Sequence, residues 1–170
     1  MKKLIFIPTM LLILFSMTIQ AQGNFVLNPN GEKDQAVVRA YIQAMTSRNA
    51  AQLGQTHAPD YLGYGPRWDS PQSREKMLQN VQDIWDNYDN IRYDRIRMIS
   101  VNVSKDEIPE YNGNWVFVWG VFLGKEKSSG KEISIDVHET LKIENGKIRG
   151  KVTYYNELDG MIQAGQYNPN

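Results

Sequence analysis

The chain has 170 residues, with 19 Lys and Arg against 19 Asp and Glu, and it contains no cysteine. That composition excludes disulfides, a thiolate nucleophile and cysteine-ligated zinc, so stability has to come from packing. The charges balance and are interspersed, which leaves no electrostatic footprint for nucleic acid or for an anionic membrane surface.

Met1 to Ala21 opens with Lys2-Lys3, continues as an apolar run from Leu4 to Ile19 and ends on a small residue, the pattern of a cleavable secretory signal. Pro8 and the modest length of the run argue against a span, which needs roughly 20 apolar residues. Cleavage near Ala21 predicts an exported protein, periplasmic or secreted and without a stable membrane anchor. It would keep 149 residues, with 17 basic and 19 acidic side chains once Lys2 and Lys3 are gone. Such a domain buries roughly 68–70% of its unfolded surface. Residues 22–31 read as a flexible lead-in, 32–166 as one domain and 167–170 as a tail.

Glu32 to Thr46 carries Val37, Tyr41 and Met45 in one line with Val38 and Ile42 beside it, the stripe of a helix packed on a sheet. Asn49 is placed to cap a short helix over Ala50 to Thr56, with Gln52 at its third position. Tyr61 to Tyr64 reads as a short strand, broken by Gly65-Pro66. Ser70-Pro71 predicts a helix start, and Met77, Val81, Ile84, Trp85 and Tyr88 follow at helical spacing. Ile91 to Val103 reads as a strand with exposed arginines, and Asp106 to Gly113 as a loop. Trp115 to Leu123 is apolar on both faces, which predicts a central strand covered on each side, the second side by a partner subunit. Glu157 to Ala164 predicts a last helix with Leu158, Met161 and Ile162 inward and Gly165 as its stop.

Asn145-Gly146 is a strong hairpin signal, because both central residues of a type I′ turn need positive φ. Counting outward from a two-residue loop pairs Ile143 with Ile148, Leu141 with Gly150, Glu139 with Val152 and Val137 with Tyr154. One face then reads Ile133, Ile135, Val137, Glu139, Leu141 and Ile143 against Ile148, Gly150, Val152, Tyr154 and Asn156. The other face is polar, with His138 and Asp136 beside Lys151, Thr153 and Tyr155. A single carboxylate, Glu139, interrupts the apolar side.

Helices followed by a run of long antiparallel strands define an α+β protein, a curved antiparallel sheet closed by N-terminal helices into a cone-shaped barrel. In VVRAYIQAMTSRNAAQLGQTHAPDYLGYGP near the start and ENGKIRGKVTYYNELDGMIQAG near the end, the chain resembles the nuclear transport factor two-like superfamily. That superfamily includes ketosteroid isomerases and SnoaL-like polyketide cyclases. The resemblance implies a cone cavity, with Glu139 near a protonated acid of the isomerases and Tyr41 at its partnering tyrosine. It aligns the isomerases' general base with Gly65, which has no side chain. It aligns the acidic residue of the cyclases with Asn156, and it puts Asp60 and His57 beside the pocket mouth as alternative bases.

From the residues themselves, Glu139 on an apolar face must be paired, hydrogen-bonded or protonated, and desolvation would raise its pKa toward acid–base work. Asn156 also reads as a helix cap, and His57 as a cap or surface residue. Tyr64, Trp85, Trp119, Val137 and Tyr154 are candidate walls of a ligand cavity, with Trp85, Trp119 and Tyr154 equally readable as core. No phosphate loop or nucleophile elbow occurs, and two isolated histidines make no metal site, so no cofactor is expected. Three functions stay open: binding a small, largely apolar molecule; an acid–base enzyme using Glu139, Tyr41 and Asp60 or His57; and a dimeric interaction module with a filled cavity.

Overall fold

A computed structural model describes residues 25–67, 69–105 and 108–168; the segment Met1 to Ala21, expected to be a cleavable signal, lies outside them. The elements in chain order are β1 (Phe25–Leu27), α1 (Gly31–Thr46), α2 (Ala50–Thr56), β2 (His57–Tyr64), β3 (Gln72–Ser73), α3 (Arg74–Asn87), β4 (Tyr88–Val103), β5 (Gly113–Glu126), β6 (Glu132–Glu144), β7 (Lys147–Tyr155) and α4 (Glu157–Ala164). The seven strands form one curved sheet in the order β1-β4-β5-β6-β7-β2-β3, which does not close on itself. Helices cover its concave side, the α+β arrangement expected. Within the segment read as a lead-in, Phe25–Leu27 instead pairs with β4, Leu27 opposite Val101.

Local chemistry explains most boundaries. Asn49 caps α2 by accepting from the Gln52 N–H at 2.9 Å. Ser73 caps α3 through the Lys76 N–H at 3.2 Å, so the helix begins after Ser70-Pro71. The nearer serine wins because Gln72 and Ser73 first pair with β2. Gly165 ends α4 in the left-handed region at φ 76°, which glycine adopts without a Cβ clash. The curvature comes from β4, where Asn90 and Arg95 take positive φ at two interruptions of the β5 pairing.

The core lies between α1, α3 and the concave face. Val38, Tyr41, Met45, Met77, Val81 and Trp85 meet Val116, Val118, Leu141 and Ile148. Trp85 ties α3 to the end of α1, its Nε1 donating to the Met45 carbonyl at 2.9 Å. On α4 the expected inward residues Leu158, Met161 and Ile162 are exposed, and Gly160 and Ala164 are buried instead. The small residues face inward because the helix lies close on β6: a Cβ at Gly160 would crowd Ile135, and Gln163 brackets the Ser134 backbone.

The hairpin departs from simple counting in one place. Its turn has the expected positive φ at Asn145 and Gly146, and Ile143 does face Ile148. Beyond that pair β7 carries one extra residue, so Lys142 faces Gly150, Leu141 faces Lys151, Glu139 faces Thr153 and His138 faces Tyr154. Arg149 is the bulged residue, held outside by Asp60 at 2.7 Å and Glu144 at 3.0 Å. A one-residue slip exchanges the two faces of a strand. Lys151, Thr153 and Tyr155 therefore share the concave side with Glu139, and Val152 and Tyr154 face outward. Deleting Arg149 should flatten the bulge and leave Gly150 opposite Lys142 and Lys151 opposite Leu141, so that Lys151 keeps its place beside Glu139. Urea denaturation should then show a loss of no more than about 1 kcal/mol, that of the exposed Arg149 pairs; a loss of about 3 kcal/mol or more, the cost of an unpaired Glu139, would contradict this reading of the bulge.

Candidate functional site

The helices and the concave face enclose a cavity of about 270 Å³. It has room for roughly nine waters at about 30 Å³ each. Met45, Met77, Val81, Ile84, Phe122 and Val137 supply apolar wall, and Tyr61, Tyr64, Tyr88, Tyr93 and Tyr155 contribute rings. Polar chemistry is concentrated where β6 and β7 meet α1. There the Lys151 ammonium lies 3.0 Å from Glu139 Oε1 and 3.0 Å from the Tyr41 hydroxyl. Tyr41 donates to the same Oε1 at 3.2 Å, and Thr153 reaches it at 3.5 Å. Lys151 also lies 4.9 Å from the centre of the Tyr41 ring, in cation–π range.

The electrostatics follow from burial and pairing. The Glu139 and Lys151 side chains are 4% and 14% exposed. Burial is the largest influence on Lys151 and opposes its charge, but attraction to Glu139, the hydrogen bond to it and the nearby Tyr61 and Tyr93 together outweigh burial and lift the ammonium above its ordinary pKa. The lysine is a cation here, not an amine nucleophile. Burial, then the Glu139 charge, pushes the Tyr41 phenol well up, so it stays protonated as a donor. Tyr93, bonded to Tyr41, is raised by burial in the same way. An ammonium has three N–H donors, and two are taken by Glu139 and Tyr41. Because Lys151 lines the cavity, the third can meet a guest, as can the Gln72 and Asn80 amides on the same wall.

The fold brings Glu139, Tyr41, Tyr64 and Val137 together on the cavity wall. Other candidates lie elsewhere. Asp60 is outside, paired with Arg149. Asn156 accepts from the Asp159 N–H at 3.1 Å and caps α4. Trp85 is core bonded to Met45. Trp119 and Tyr154 lie on the convex face, 42% and 53% exposed, stacked on either side of His138. Tyr154 moved there because of the bulge, and Trp119 because the odd-numbered positions of β5 point outward. Gly65 passes so close to the Thr153 carbonyl that a Cβ would collide with it, so no side chain fits there.

His57 is not at the mouth but 1% exposed beneath the site, edge-on to Tyr41 and Tyr61. Its Nδ1 lies 3.0 Å from the Leu53 carbonyl, which fixes the proton on that nitrogen. Burial lowers its pKa to about 4. Lys151 is the residue that sequence reasoning missed; the signal for it was Gly150, since a glycine inside a strand marks a bulge.

The model of the SnoaL-like domain family matches residues 38–150. The chain belongs to that family, and with it to the nuclear transport factor two-like superfamily. No curated protein matches the sequence. Similar solved structures include a protein of ketosteroid isomerase-like fold from Catenulispora acidiphila, in complex with trimethylamine. It is 18% identical at a TM-score of 0.61, covering 78% of this chain and 97% of its own. A candidate polyketide cyclase from Xanthomonas campestris pv. campestris is 16% identical at 0.63, covering 79% and 98%. AclR from Streptomyces galilaeus is 13% identical at 0.64, covering 81% and 99%. At these identities the likeness speaks for the fold.

The buried histidine makes stability depend on pH. The folded pKa of about 4 lies below the unfolded value of about 6.5, so the unfolded chain takes up the proton first. Its contribution, about 3 kcal/mol, is complete above pH 6.5 and is lost as pH falls toward 4. Urea midpoints across that window should fall less steeply in His57→Phe than in the parent; equal slopes would contradict the assignment.

Proposed function

We propose that this SnoaL-like domain binds one small, largely apolar and uncharged molecule in its cavity. An acceptor oxygen of that molecule, such as a carbonyl, takes the third N–H of Lys151. The observation that carries the reading is a buried ion pair at a cavity whose wall is mostly apolar and aromatic, with Gln72, Asn80 and Thr153 as its other polar side chains. Desolvating two charges costs several kcal/mol each, and a well-packed hydrophobic replacement is often neutral or stabilising by about 1–4 kcal/mol. The pair is therefore a poor device for stability alone. Its charges already cancel, so a guest anion would enter without a counter-ion, whereas a neutral acceptor adds only a hydrogen bond. The leader sequence supports a role outside the cytoplasm.

Native mass spectrometry of the exported protein should show a retained neutral guest. A small aromatic ketone should then bind more tightly than its isosteric carboxylate, by about tenfold or more at pH 7. Preference for the carboxylate, or no binding of either, would refute the proposal.

A second reading has one observation in its favour. Tyr41, Lys151 and Thr153 all converge on Oε1 of Glu139, so these donors leave Oε2 for a proton next to the guest carbonyl. In that case Glu139 would act as a base on an enolisable ketone. Deuterium exchange α to the carbonyl should be catalysed and should fall by about 100-fold or more in Glu139→Gln. No exchange above buffer would leave binding without catalysis.

A further inference from the structure

We infer that the guest carries two acceptor oxygens on opposite sides of a short apolar body, one for the Lys151 ammonium and one for the Tyr61 hydroxyl. This rests on the reading of Lys151 given above and adds the second polar contact, which selects among neutral guests. The Tyr61 hydroxyl is the observation behind it. Tyr61 lines the cavity and is 3% exposed, its ring edge-on to His57. Among the described residues no group hydrogen-bonds its hydroxyl. Buried polar groups nearly always have a partner, and leaving one unmet costs free energy. A hydroxyl held this way at a cavity wall is a contact waiting for a guest.

The strand register shows why the hydroxyl stands there. Lys151 faces Gly63 on β2, and Gly63 faces Gln72 on β3, so the three share one row across the concave face. Gly63 brings no side chain to the middle of that row. Tyr61, two residues earlier and on the same face, lays its ring along β2 and fills the gap with its hydroxyl. A Cβ at Gly63 would collide with that oxygen. The row therefore reads ammonium, phenol, amide, with glycine at position 63 making room for the phenol.

The spacing sets the shape of the guest. Lys151 reaches away from Tyr61 toward β6, where its ammonium lies 3.0 Å from both Glu139 Oε1 and the Tyr41 hydroxyl. Strands lie about 4.8 Å apart, so the two contacts are separated by one to two strand spacings, about 5–10 Å. Burial holds the Tyr61 phenol above its ordinary pKa, so it donates at neutral pH and calls for an acceptor. A cavity of about 150 Å³ holds one benzene ring. The 270 Å³ here suits one ring bearing two substituents. A neutral aromatic diketone is the simplest molecule of this class.

Isothermal titration calorimetry with four probes tests the inference: 1,3- and 1,4-diacetylbenzene, and the matching isopropylacetophenones, in which an isopropyl group replaces one acetyl group at nearly the same volume. The better diketone should bind about tenfold or more tightly than its isopropyl analogue, although it is the less apolar of the two. In Tyr61→Phe that ratio should fall to about twofold or less, and Gly63→Ala, which crowds the hydroxyl, should lower it as well. Because the hydroxyl has no partner in the guest-free chain, Tyr61→Phe should unfold in urea at the parent's midpoint or above it. Diketones that bind no more tightly than their analogues, or a ratio that survives Tyr61→Phe, would overturn the inference and leave the single contact at Lys151 standing. So would a lower urea midpoint in Tyr61→Phe, which would show the hydroxyl bonded within the protein. If none of the four ketones binds, both readings fall.

Discussion

The site depends on one buried ion pair. Glu139 alone on the concave face would be an uncompensated charge under a helical cover, a situation that costs several kcal/mol. Lys151 removes that problem, and Tyr41 and Thr153 add donors to the same carboxylate oxygen. The pair also fixes what surrounds it. Burial and then Glu139 keep Tyr41 protonated, burial with a smaller push from Lys151 disfavours charge on His57 below, and one lysine N–H faces a mostly oily cavity.

The extra residue in β7 makes this arrangement available. Strand periodicity is strict, so one inserted position moves Lys151 from the wet side to the cavity and Tyr154 from the cavity to the surface. The outward ion pairs of Arg149 with Asp60 and Glu144 mark where the insertion is absorbed. Exposed pairs of this kind contribute about 0–1 kcal/mol, so they steer the bulge more than they stabilise it. The larger driving force is the match between Lys151 and Glu139 inside.

Local signals were legible in the chain. Asn145-Gly146 set the turn, Asn49 capped α2, Gly165 stopped α4, and the stripe through Tyr41 and Met45 marked the buried face of α1. Glu139, Tyr41, Tyr64 and Val137 could be placed on the cavity because they lie before the bulge or on elements it does not touch. Features set by tertiary fit were not legible. Counting by two carries a slip through every later residue of β7, which displaced Tyr154 and hid Lys151. On α4 the apolar residues Leu158, Met161 and Ile162 suggested the wrong face, because close approach to β6 selected Gly160 and Ala164 instead. Of the other candidates, Asn156 serves as the cap of α4, Asp60 within β2 is held outside by Arg149, and His57, where α2 meets β2, is buried under the site, placements that tertiary contacts decide.

The central claim is that Lys151 and Glu139 are energetically one unit facing the cavity. A double-mutant cycle with Lys151→Met and Glu139→Gln, read by urea denaturation at pH 7, tests it most directly. The account predicts a coupling energy of about 2 kcal/mol or more, the double variant being far less destabilised than the sum of the singles. Additivity within about 0.5 kcal/mol would show that the two side chains do not meet, and the cavity chemistry built on their pairing would fall with it.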